Sequence, residues 1–125
     1  MTIMRKFRPW SYSVSHSELV LRTVPQDAIN ECVEIRFYGV VSMKLKSVYS
    51  RLELLLATPS ESNHILHFSG VADSQTSRVH CIILGDDKRE SFVACLSYRA
   101  WAFPGDSHFT KSGLPEAEAK LILSS

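Results

Sequence analysis

Five histidines and three cysteines are the residues of this 125-residue chain most able to do chemistry. A metal site would need such donors to converge. His64 and His67 are three apart, which on a strand sends them to opposite faces; they could chelate one ion only on a helix. His80 and Cys81 diverge in the same way. There is no C-x-x-C, and no spacing resembles a zinc site, so the expectation is no metal and no cofactor. Ser15-His16-Ser17 sets hydroxyls beside an imidazole, as a nucleophile and its base would be set. Strand neighbours face apart, however, and no G-x-S-x-G elbow accompanies them. His16 then reads as a partly buried residue bonding a carbonyl at a bend. Asp86-Asp87 after Gly85 could be a carboxylate pair for acid–base work, but in that setting it reads as a turn. The five glycines are isolated, so no loop cradles a phosphate.

The aromatic residues carry what functional signal there is. Trp10, Tyr12, Phe37, Tyr38, Tyr49, Phe68, Phe92, Tyr98, Trp101 and Phe103 are spread along the chain, and most are expected in the core. Those that do not fit inside would line a contact surface. Arg99 and Trp101 are the candidates for its centre: two apart on one strand face, placed at the sheet's margin and able to stack, with Tyr38 or His16 nearby. The plainer alternative is an Arg99 stem that covers core and keeps its head in water.

The elements that must position these residues are mostly strands. Residues 10–22 alternate with period 2, with Trp10, Tyr12, Val14 and His16 on the apolar side and serines opposite. After Glu18 the apolar side changes parity to Leu19 and Leu21, which requires a bulge or sharp bend near residues 15–18. Residues 32–45 form a second amphipathic run, kinked at Gly39, with Glu34 and Arg36 on the face expected to be wet. Residues 47–57 fit either a turn followed by a strand or a helix capped by Ser50-x-x-Glu53, with the strand preferred. Pro59 then ends the element, and residues 64–71 read as a short strand. Residues 79–84 are apolar enough to be covered on both faces, and they form a hairpin with residues 92–103. That second run is twice a typical strand length, so part of it should bend or leave the sheet. A C-terminal helix could start at Pro115 and carry Leu121 and Ile122.

This pattern predicts a mainly β, single-domain protein over residues 1–125: one antiparallel sheet of about six to eight strands, curled into a small barrel or sandwich, with at most one or two short helices. Residues 1–9, with Arg5, Lys6 and Arg8, read as a flexible arm. Hydrophobic content of 45% and charged content of 22% exclude wholesale disorder, and a net charge of +1 offers no field that argues for nucleic acid. No apolar run approaches a membrane span, and no signal peptide opens the chain. The odd cysteines 32, 81 and 95 read as reduced, buried thiols, which points to the cytoplasm.

The opening R-P-W-S-Y-S-V-S-H-S-E-L-V-L-R (residues 8–22), followed by V-E-I-R-F-Y-G-V (residues 33–40), resembles a group of uncharacterised small bacterial proteins. They share W-x-Y-x-V-S-H-S-x-L-x-L-R and then F-x-G-V. The resemblance covers roughly the first third of the chain and implies a bacterial, cytoplasmic protein without implying an activity. With no catalytic constellation legible, the preferred function is a protein-binding module, an adaptor or an immunity-type protein whose partner is another protein. A small-ligand-binding β-barrel and an enzyme with an unrecognised site are the alternatives.

Overall fold

The computed structural model describes residues 2–25, 31–85, 88–104 and 120–125. Among the described residues the chain is mainly β, and every strand pairing is antiparallel. Its strands are β1 (Thr2–Ile3), β2 (Phe7–Ser13), β3 (Glu18–Thr23), β4 (Glu31–Tyr38), β5 (Ser42–Lys44), β6 (Leu52–Leu56), β7 (His80–Gly85), β8 (Ser91–Cys95), β9 (Ser97–Pro104) and β10 (Lys120–Ser124). They divide into two five-stranded sheets. The first runs β1-β6-β7-β8-β5, the second β10-β9-β4-β3-β2. One apolar cluster draws on both: Leu52, Leu54, Ile82, Leu84, Val93 and Cys95 from the first, Phe7, Leu19, Leu21, Ile35, Phe37 and Ala100 from the second.

The corner between the sheets is made by two runs crossing side by side. β4 belongs to the second sheet and β5 to the first; β8 belongs to the first and β9 to the second. Both turn at the same place, where the Leu96 N–H donates to the Tyr38 carbonyl at 3.0 Å. Gly39 allows the turn. Its φ is +62°, and a Cβ there would lie 2.8 Å from the Leu96 side chain. The kink expected at Gly39 and the bend expected within residues 92–103 are thus one corner. Crossing it also exchanges faces: Val93 and Cys95 point into the core before the corner, Tyr98, Ala100 and Ala102 after it.

The opening hairpin departs from expectation. β2 and β3 reverse through residues 14–17, with Ser17 at φ 49°, so the required sharp bend is present. Yet Trp10, Tyr12 and Val14 do not pack inward; they are exposed, Val14 to 82%. Phe7 fills the core instead, and the β2 register slips between Pro9 and Ser11. Alternation from Phe7 turns the Trp10 ring outward, the bulge beside it sets Tyr12 opposite Leu19 at the end of the strand, and Val14 and His16 fall in the reversal itself. Residues 2–9, expected as an arm, are bound into the fold: Thr2 and Ile3 pair with β6, and Phe7 exchanges two backbone hydrogen bonds with Tyr49.

Residues 64–69 lie in a helix rather than a strand, with Gly70 as its left-handed cap. α1 (Pro59–Ser69) is capped by Thr58, whose hydroxyl accepts from the Glu61 N–H while the Glu61 carboxylate accepts from the Thr58 N–H. This T-x-x-E box, with Pro59 in the first turn, starts a helix where proline had read as a stop. The preferred strand within residues 47–57 is β6. α1 lies on the far face of the first sheet, where Ile65 packs with Cys81, Ile83 and Ala94. A 3-10 helix (Asp73–Arg78) follows. β7 is accordingly buried on both faces, as its composition requires. At the C-terminus Lys120–Ser124 is a strand, so Leu121 and Ile122 are not helical; residues 115–119 lie outside the described residues, as does the Asp86-Asp87 turn. No helix among the described residues is long and apolar enough to cross a membrane.

Candidate functional site

The face of the second sheet turned away from the core is where charge and aromatic rings gather. Registers place Arg8, Arg22, Glu34 and Trp101 opposite one another on β2, β3, β4 and β9. The next row holds Val20, Arg36 and Arg99. Glu34 and Arg36 alternate with Val33, Ile35 and Phe37, so core packing of one set obliges the other to share this outer face.

That face is not wet at its centre. Glu34 is 0% exposed and Arg36 6%. Arg22 Nε donates to Glu34 Oε1 at 3.1 Å, Arg36 Nε to Glu34 Oε2 at 2.7 Å, and Arg36 Nη1 to Glu18 Oε1 at 2.5 Å. Burial pushes the Glu34 carboxyl above its usual value, and the neighbouring guanidiniums of Arg36 and Arg22 pull it back. Burial also works against the Arg36 cation, but its bonds to Glu34 and Glu18 leave it raised. Both Glu34 oxygens accept N–H bonds, so the geometry holds the carboxylate form. Cross-strand charge pairing of this kind is costly to desolvate and rigid once made.

The rings stand on this network. The Arg22 guanidinium lies 4.6 Å from the Trp10 ring centre and 5.8 Å from that of Phe103, and Arg8 lies 5.5 Å from Trp10. Trp10 is nonetheless 51% exposed. Of the residues singled out from sequence, Arg99, Trp101 and Tyr38 share this face. Arg99 is exposed and opposite Arg36; Trp101 is half-buried and opposite Glu34; Tyr38 faces Ser97. Burial, with Glu18 adding to it, raises the Tyr38 hydroxyl above its ordinary value against Arg36 and Arg99. Two details differ from expectation. β9 is paired on both sides, so Arg99 and Trp101 are not at a margin, and the guanidinium stacking is made by Arg22 on Trp10 instead of by Arg99 on Trp101. His16 is exposed in the β2–β3 reversal, apart from the other three.

Sequence reasoning missed Trp10, Arg22, Glu34 and Arg36 as site residues. The available signal was Glu34-x-Arg36 beside Glu18-x-x-x-Arg22, complementary charges two or four apart on adjacent strands. Chemically, both Glu34 oxygens are occupied by guanidinium N–H groups, which leaves a preorganised surface of rings and cations suited to recognition. Elsewhere, His64 and His67 do lie on a helix, but among the described residues no third donor joins them. His80 instead sets its ring edge-on against Tyr98, 5.7 Å away.

The chain matches no known family model, and comparison with curated proteins and with solved structures found no similar chain.

Proposed function

We propose that the chain is a protein-binding module of adaptor or immunity type, and that it docks through the outer face of the second sheet. The observation that carries this reading is Trp10, half exposed with the guanidiniums of Arg8 and Arg22 against its ring. A large ring held rigid at the surface loses little freedom on binding, and Trp and Arg are the residues that most often anchor interfaces. Tyr12, opposite Leu19, and Val14, in the reversal, add exposed apolar surface at the end of the hairpin. The charge of the face selects the partner. Glu18 and Glu34 are engaged by arginines, while Arg8 and Arg99 are exposed, so the complement is an acidic protein surface carrying an apolar knob. On this reading the two sheets stack as a sandwich, which the shared core cluster supports. A cytoplasmic setting in a bacterium is supported by the free thiols of Cys32, Cys81 and Cys95 and by the resemblance of residues 8–22.

The test is a partner recovered with the wild-type protein and then titrated with purified Trp10→Ala, Arg99→Ala and Trp101→Ala variants. The expected outcome is affinity lost by tenfold or more, about 1.4 kcal/mol, for Trp10→Ala with the melting temperature little changed. Affinity retained in all three variants would make these residues scaffold.

A further inference from the structure

The first sheet carries a cleft apart from the proposed docking face. Between α1 and the β5–β8 pair is an open cleft of about 620 Å³. That volume is in the range of small-molecule sites. Its floor is apolar: Ile65 from the helix, Ile83 and Phe92 from the sheet, and Phe68, whose ring meets Phe92 edge-on at 5.8 Å. Phe68 is 65% exposed, so the helix leaves this aromatic wall open instead of closing over it.

The polar lip separates into engaged and free groups. Glu61 is engaged twice over. Its Oε1 accepts from the Thr58 N–H at 2.9 Å and from Arg89 Nη2 at 2.7 Å, and its Oε2 accepts from Arg89 Nε at 2.9 Å. Arg89 is held in turn, at a left-handed φ of 53°. Lys44 and Glu90 also line the cleft, and neither has an ion-pair partner among the described residues. Lys44 sits opposite Phe92 in the β5–β8 register, and Glu90 precedes Phe92 by two residues.

We propose that this cleft binds a small zwitterion with an apolar side chain, of the class of free aromatic or branched amino acids. The charges decide the class. A lone carboxylate would leave Glu90 without a partner, and a lone amine would leave Lys44 without one. A neutral apolar molecule would desolvate both lip charges without compensation. A zwitterion offers its carboxylate to Lys44 and its ammonium to Glu90, while its side chain covers Phe68 and Phe92.

The experiment titrates the ¹⁵N-labelled protein with L-phenylalanine, 3-phenylpropionate and phenethylamine, the last two lacking the amine and the carboxylate respectively. The expected result is saturable shifts of the Lys44, Ile65 and Phe92 amides with a Kd below about 10 mM for L-phenylalanine. Each half-ligand should bind about threefold to fivefold more weakly, the size expected of one partly exposed ion pair. Lys44→Ala should abolish the preference over phenethylamine, and Glu90→Gln the preference over 3-phenylpropionate; both residues are exposed, so both variants should fold. Equal binding of the three probes, unchanged preferences in the variants, shifts centred on another face, or no saturable shift would each overturn the proposal.

Discussion

At the scale of single residues, the contrast between Phe7 and Trp10 is the most instructive. Both are aromatic and three apart on β2, so alternation sends them to opposite faces, and the bulge between Pro9 and Ser11 then sets Tyr12 opposite Leu19. Phe7→Ala should destabilise the protein by ~3–5 kcal/mol, because it empties a fully packed site. Trp10→Ala removes a half-exposed ring with two guanidinium contacts and should cost about 1 kcal/mol or less. Urea denaturation of the two variants measures the difference; equal losses would mean that Trp10 is core. Period 2 separates the two rings but leaves open which of them is inside. Which side is inside was set by the neighbouring strand.

At the scale of elements, α1 and the Gly39 corner each rest on a local device. The Glu61 carboxyl is lowered from 4.5 to about 2, chiefly by its hydrogen bond from Arg89 and then by the Thr58 N–H. A carboxyl lowered on folding adds stability above its unfolded value, and that contribution is lost as pH falls from 4.5 toward about 2. Glu61→Gln should therefore flatten the acid limb of the stability curve across that window, as read by thermal melts at a series of pH values. An unchanged acid limb would show the Arg89 contact to be idle. The Gly39 corner makes a sharper demand. Gly39→Ala places a Cβ 2.8 Å from Leu96 at a φ of +62°, and should cost ~1–3 kcal/mol. A variant as stable as wild type would mean that the corner adjusts freely. The sequence marks Gly39 as a kink, and Thr58-Pro59-Ser60-Glu61 also carries its helix start openly. Pro59 reads as a stop from sequence because a first-turn proline and an element-ending proline look alike without the downstream packing of Ile65.

At the scale of the molecule, protection should follow sheet position. β4 and β7 are hydrogen-bonded on both sides and carry core residues, so their amides should exchange slowest, with β1 and β5 at the edges fastest. Native-state hydrogen exchange read by NMR checks this; edge amides as slow as those of Ile35 and Ile83 would argue against the central role of those strands. By itself, the sequence determined that the chain is a β protein with antiparallel neighbours, because alternation and turn residues are local properties. It also placed Arg99 and Trp101 on one strand face and required residues 92–103 to bend, since parity and strand length follow from the backbone alone. The tertiary structure decided the division into two sheets at Gly39 and Leu96, and with it which side of each strand became core. It alone buried Glu34 and Arg36, for a charge enters a protein only when partners meet it, and Arg22 and Glu18 meet these two only when β3 and β4 align.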